Sequence, residues 1–161
     1  MAYEENRVRV KNYGSITYGD PRLVAVPGVH GQPRMLHRAA APLLAEMSRA
    51  AEADVGVPIL LASGWRRHRW KSREQYEATV IRRFGSVREG RRWLAYNSPH
   101  ETGLAIDIGS GGLWPTKATV DKQRRTELHD WLVMNAHRFG CTPYKVEPWH
   151  WEFNVGREAW E

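Results

Sequence analysis

An α+β fold is predicted for this chain: a small antiparallel sheet flanked by helices, in a single domain. Three observations lead there. A length of 161 residues suits one domain, which at this size buries roughly 70% of its unfolded surface. Long segments carry apolar residues at helical spacing, and short runs of strand length lie between them. The last two such runs, CTPYKV and WHWEF, are separated only by Glu147 and Pro148 and read as joined strands.

In chain order, residues 1–33 are rich in Gly, Pro and Tyr without a sustained period and read as an irregular N-terminal arm; residues 34–161 read as the domain proper. A helix is predicted from Arg34 to Ala53, where Met35, Leu36, Ala39, Leu43, Met47 and Ala50 recur at helical spacing. Pro42 is its weak point, because an interior proline loses a hydrogen bond. VPILLAS, 57–63, has the length of a buried strand and delivers Gly64, Trp65 and Arg66 at its end. Helices over Ser72–Phe84 and Ser86–Tyr96 each open on a serine with a glutamate two or three residues on, which suits an N-cap. GLAIDIG, 103–109, alternates as a strand, and SGGLWPT after it reads as a loop. A last helix runs from Asp121 to Phe139, with Leu128, Trp131, Leu132 and Ala136 on one face and Gly140 as its stop.

A single cysteine, Cys141, excludes an intramolecular disulfide and any multi-cysteine metal site, so a metal would be held by His, Asp and Glu. The 24 basic against 18 acidic residues give a net charge of +6, which favours partners carrying negative charge: nucleic acid, anionic cell-wall polymers or a substrate with free carboxylates. The cations are densest from Arg66 to Arg92, alongside Trp65, Trp70 and Trp93. A solvated helical face with aromatic anchors explains that segment more simply than a dedicated polyanion surface. No apolar run approaches the roughly 18 residues of a membrane span, and MAYEENRVRVKNYG shows no secretion signal. The expectation is a protein that stays in the cytoplasm as encoded, leaves by a route not written in this chain, or starts after a signal already removed.

The chemistry begins with strand parity. In EPWHWEF, Trp149, Trp151 and Phe153 point one way and His150 and Glu152 the other, so the aromatics fix the register of a strand that presents His150. In NSPHETGLAIDIG, Leu104, Ile106 and Ile108 form the core face, Ala105 and Asp107 the opposite one, and His100 precedes Asp107 by seven positions. Two histidines and one aspartate suit zinc, leaving one tetrahedral position for water. Glu147 could take that water's proton, with Pro148 bending the chain so that Glu147 escapes strict alternation. Taken singly, each has a structural explanation too: His100 as a loop histidine, Asp107 as a salt-bridged carboxylate, Glu147 as a surface residue. His30, His37, His68, His129 and His137 carry no site pattern.

Jointly these motifs resemble a known family. Ser98-x-His100-x-x-Gly103-x-Ala105-x-Asp107, followed some forty residues on by Glu147-Pro-Trp-His150, is similar to the zinc D-alanyl-D-alanine carboxypeptidases of bacteria, relatives of the vancomycin-resistance D,D-peptidases and of a class of phage endolysins. SGWRR, 63–67, resembles the family's SGYR segment. The resemblance implies one catalytic zinc on the sheet, held by His100, Asp107 and His150. It also implies Glu147 as the base, Arg66 facing the scissile carbonyl, and Ser98 beside the site or touching substrate. The implied partner is a peptidoglycan stem peptide or another D-Ala-D-Ala-containing peptide; a monomer without a nucleic-acid partner is the separate expectation.

Departures touch the substrate side. Trp65 stands for the usual tyrosine, Arg67 for a common serine, and a glutamine appears only at Gln75, behind the basic insert HRWKSRE. The EPWHWEF form favours a carboxypeptidase trimming a terminal D-alanine over an endolysin-like L-alanyl-D-glutamate endopeptidase. A catalytically silent zinc-site module, as in the hedgehog-like relatives of this fold, is disfavoured by the presence of both Glu147 and Arg66.

Overall fold

The computed structural model describes residues 10–161. Residues 1–9 of the predicted irregular arm lie outside the described residues; within the rest of it, strand β1 (Leu23–Val26) pairs antiparallel with β2 (Arg34–His37), setting Leu23 opposite His37 and Val26 opposite Arg34. This also corrects the helix predicted from Arg34, because helix α1 occupies Ala41–Val55. Pro42 lies in its first turn, where a missing N–H forfeits no intrahelical bond. The residue that weakens a longer helix is therefore an ordinary starter of a shorter one.

Strands β3 (Leu61–Ser63), β4 (Ala105–Ile108), β5 (Cys141–Tyr144) and β6 (Glu147–Phe153) form a second antiparallel sheet in the order β3-β4-β6-β5. Between β3 and β4 lie helices α2 (Arg73–Phe84) and α3 (Val87–Gly90), each capped by the expected serine. The sequence predicts a second helix reaching Tyr96, but α3 stops at Gly90. That glycine lies flat on α2, where a Cβ would come within 2.3 Å of Val80 Cγ1. The long helix predicted over 121–139 is broken into α4 (Val120–Arg124), α5 (Glu127–Asn135) and a 3-10 turn, Ala136–Phe139. Thr126 restarts the chain as a new N-cap, its hydroxyl accepting from the His129 N–H at 3.1 Å. A short helix, α6 (Arg157–Trp160), closes the chain.

One buried cluster unites these elements, from Val10 and Ile16 through Leu36 and Ile106 to Trp151 and Trp160. The segment ahead of β2 is thus part of the core packing. Trp151 and Phe153 face that cluster, which leaves the other face of β6 for His150 and Glu152. Among the described residues no helix is long and apolar enough to cross a membrane.

Candidate active site

Register builds the centre. Asp107 pairs with His150 and Ala105 with Glu152 across β4 and β6, so one sheet face presents Asp107, His150 and Glu152 together, with only a methyl group at Ala105 to make room. His100 reaches the same point from a 3-10 turn, Pro99–Thr102, just ahead of β4. That turn opens on a reciprocal cap: Ser98 Oγ accepts from the His100 N–H at 3.2 Å, and the Glu101 carboxylate accepts from the Ser98 N–H at 3.0 Å. Buried Glu101 also accepts from the Ser15 hydroxyl at 2.8 Å and from His68 Nδ1 at 3.0 Å. Gly103 ends the turn with φ +76°, a left-handed conformation that other residues adopt only under strain.

Each ring is aimed by its second nitrogen. His100 Nδ1 donates to the Gly64 carbonyl at 2.7 Å, which leaves Nε2 facing Asp107 Oδ1 at 3.2 Å. His150 uses the opposite atoms: Nε2 donates to Glu152 Oε2 at 2.9 Å, and Nδ1 faces Asp107 Oδ1 at 3.1 Å. The ligand atoms of His100, Asp107 and His150 all lie within 4.8 Å of one another. Partners of this kind fix the tautomer and orientation of metal-binding histidines. Two imidazoles and one carboxylate, with the tautomers set so that the donor atoms converge, fit a zinc ion.

The electrostatics favour a cation at this point. Burial pushes the Asp107 carboxyl up, but His100 and His150 outweigh it and hold the group well below the usual carboxylate range. Burial lowers His100. For His150 burial also pulls down, yet its hydrogen bonds to Asp107 and Glu152 prevail and raise it to about 10. Two carboxylates on one buried ring stabilise positive charge there.

Glu147 begins β6 opposite Tyr144, where the register with β5 shifts between Pro143 and Tyr144. It lines the same cavity as His150. Burial first, and Asp107 second, push its carboxyl up to about 7, against the pull of His150 and Arg66. Arg66, half-exposed, places Nη2 3.5 Å from Asp107 Oδ2, while its N–H donates to the His100 carbonyl at 3.3 Å. A cavity of about 900 Å³ brings together all six residues singled out from the sequence: Arg66, Ser98, His100, Asp107, Glu147 and His150.

Two acidic partners escape the motif reading. Glu152 shares a face with His150 by simple alternation, and Glu101 completes the Ser98-x-x-Glu101 capping pattern; both signals are present in the sequence. Trp149 is buried but walls this cavity and a second, smaller one, so it does not join Trp151 in the central cluster. His37 is structural: Nε2 donates to the Trp160 carbonyl at 2.8 Å, Nδ1 accepts from the Ala39 N–H at 2.9 Å, and burial keeps the ring neutral.

Fold and site together define an α+β chain whose sheet carries a His-Asp-His cluster able to hold a metal, beside a carboxylate of raised pKa. A family model described as VanY, D-alanyl-D-alanine carboxypeptidase, matches residues 33–157. The chain belongs to that family. A D-alanyl-D-alanine carboxypeptidase of Enterococcus faecalis (strain ATCC 700802 / V583) is 32% identical, across 73% of this chain and 47% of that protein. This chain therefore spans about half the length of that curated relative. Among solved structures, VanYB in complex with D-alanine-D-alanine is similar at a TM-score of 0.58 and 25% identity, over 92% of this chain and 86% of that one. A mutant of the vancomycin resistance D,D-pentapeptidase VanY, in complex with Zn(II), shares the fold at a TM-score of 0.56 and 24% identity, over 98% of this chain and 88% of that one.

Proposed function

We propose that this chain is a zinc-dependent D,D-carboxypeptidase that hydrolyses the terminal D-Ala-D-Ala bond of bacterial cell-wall peptides. The observation that carries this reading is the convergence of His100 Nε2, His150 Nδ1 and Asp107 Oδ1 in the cavity that Glu147 and Arg66 also line. Zinc held by these three residues would act as a Lewis acid, able to lower the pKa of water from nearly 16 towards 7.

The remaining work belongs to the protein. Glu147, whose carboxyl is raised by burial in the metal-free site, accepts the proton of the attacking water and returns it to the leaving amine. Arg66 offers a guanidinium at the mouth of the site to the developing oxyanion. Ser98 holds the turn that carries His100, and Glu152 and the Gly64 carbonyl hold the rings. No nucleophilic side chain is needed, and Cys141, buried with its thiol pushed well up by that burial, takes no covalent part.

The test is digestion of a pentapeptide ending in D-Ala-D-Ala by zinc-loaded protein. Free D-alanine should appear, a chelator should stop its release, and Glu147→Gln should retain zinc while losing on the order of 100-fold or more in turnover. A cut nearer the sugar of an intact muropeptide, with no D-alanine released, would replace this reading with the endopeptidase one.

A further inference from the structure

The basic segment from Arg66 to Arg92 is not needed to hold a metal or move a proton, yet it builds a wall of the active-site cavity. Arg67, Arg69, Arg83, Arg91 and Arg92 all line it. Among the described residues, Arg67, Arg69, Arg83 and Arg91 form no ion pair, and Arg92 has only a 3.8 Å contact to exposed Glu89. Of the four carboxylates that line the cavity, Glu101 is bound to Ser15, Ser98 and His68, and Asp107 and Glu152 to the histidines, which leaves Glu147 against the lining arginines. The wall therefore carries an uncompensated surplus of positive charge.

The arginine side chains are exposed, but the segment that carries them is anchored by aromatic packing. His68 stacks on Trp70 at 5.1 Å and on Tyr96 at 5.7 Å, Tyr76 packs against both Trp70 and Tyr96, and the Tyr76 hydroxyl donates to the Leu94 carbonyl at 2.7 Å. Its far end meets the sheet where the Tyr144 hydroxyl donates to the Arg92 carbonyl at 3.1 Å, and the Tyr144 ring lies edge-on to His150 at 5.6 Å. The backbone at Arg92 thus stands one side chain, that of Tyr144, away from His150. The indole N–H groups of Trp70 and Trp93, two further residues of the lining, find no acceptor among the described residues. Ligand sites for drug-sized molecules span roughly 300–1,000 Å³. At about 900 Å³ this cavity has room for far more than a terminal dipeptide.

We propose that the wall of Arg67, Arg69, Arg83, Arg91 and Arg92 is a subsite for an oxyanion, carboxylate or phosphate, that the substrate carries away from its cleaved end. The inference rests on reading the cavity as a peptidase site. Guanidinium groups suit both anions through paired N–H donors, and a cationic cleft wall concentrates such substrates. The anion comes from one of two sources: free side-chain carboxylates of a stem peptide, or a diphosphate linked to the sugar of a precursor.

The experiment compares the wild type with Arg83→Gln/Arg91→Gln, both zinc-loaded and with matching thermal unfolding. Each is given three substrates ending in D-Ala-D-Ala: one otherwise neutral, one with free side-chain carboxylates, and one with a diphosphate at its far end. The preference of the wild type for an anionic over the neutral substrate, as a ratio of kcat/KM, should fall at least tenfold in the double variant. It should also shrink as salt rises from 50 to 200 mM. Whichever anionic substrate loses its advantage identifies the source. Binding of a carboxylate-bearing tripeptide without D-Ala-D-Ala, and of inorganic diphosphate, is measured alongside by calorimetry. If no substrate is cleaved while the wild type binds either probe at least tenfold tighter than the double variant, the peptidase reading falls and the subsite stands. An unchanged kcat/KM ratio, or probe affinities equal in the two proteins, overturns the subsite.

Discussion

Glu147 shows how one residue carries opposite demands. Its carboxyl is pushed from an ordinary 4.5 to about 7, chiefly by burial. In the proposed reaction the carboxylate is the working form, so the rate should rise with pH as Glu147 ionises, at a pH below its metal-free value because a zinc cation would favour the charged form. For stability the sign is reversed. A group whose folded pKa lies above its unfolded value contributes stability that is fully present below about 4.5 and is lost as pH rises through about 7. Glu147→Gln cannot ionise and should escape that loss. In chemical denaturation of the metal-free proteins, the variant should match the wild type near pH 4 and exceed it at pH 8. Parallel stability profiles would mean that the carboxyl is not perturbed by its burial.

At the scale of elements, the site depends on strands meeting in register and on a glycine that lets two of them approach. Much of the β4–β6 pairing is legible in the sequence: alternation places Asp107 and His150 on the faces where they are found, and the aromatic side of EPWHWEF marks the core side. The β1–β2 ribbon is not legible, because Met35, Leu36 and Ala39 continue a helical spacing by coincidence. Only pairing with Leu23–Val26, a contact distant in sequence, decides against the helix. The role of Gly64 is equally hidden. A Cβ there would lie 2.3 Å from the Met35 carbonyl oxygen, which accepts from the Trp65 N–H at 2.7 Å, and the Gly64 carbonyl is the acceptor that aims His100. Gly64→Ala should therefore force the segment after β3 away from β2 and swing that carbonyl. The expected losses are about 1–3 kcal/mol of stability from overpacking and roughly 10–100-fold in zinc affinity from the displaced ring partner. Competition with a chromogenic chelator reads the second. Weakened folding with unchanged zinc affinity would show that this carbonyl does not set His100.

At the scale of the whole molecule, the two ends of the described chain converge on the turn that carries His100. The Ile16 N–H donates to the Glu101 carbonyl at 2.8 Å, and the Trp65 indole donates to the Ile16 carbonyl at 3.2 Å. From the other end, the Trp160 indole donates to the Thr102 carbonyl at 2.9 Å while its own carbonyl accepts from His37. Its ring packs on Tyr13 at 5.5 Å beneath the Arg22 guanidinium at 4.6 Å. None of these pairings has a period or motif that sequence reading could use, since the partners lie at least 49 residues apart. Trp160→Ala should lower folding stability by about 3–5 kcal/mol, the usual cost of truncating a buried tryptophan. If Trp160 also steadies the turn, the variant should gain less stability from saturating zinc than the wild type does, because a ligand's stabilisation grows with its affinity for the folded state. Trp160→Phe, which keeps most of the ring packing and removes the donor to Thr102, should fall between them in that zinc-dependent gain. Equal gains in all three proteins, read from denaturation midpoints with and without zinc, would show that the chain ends brace the fold without bracing the metal-binding centre.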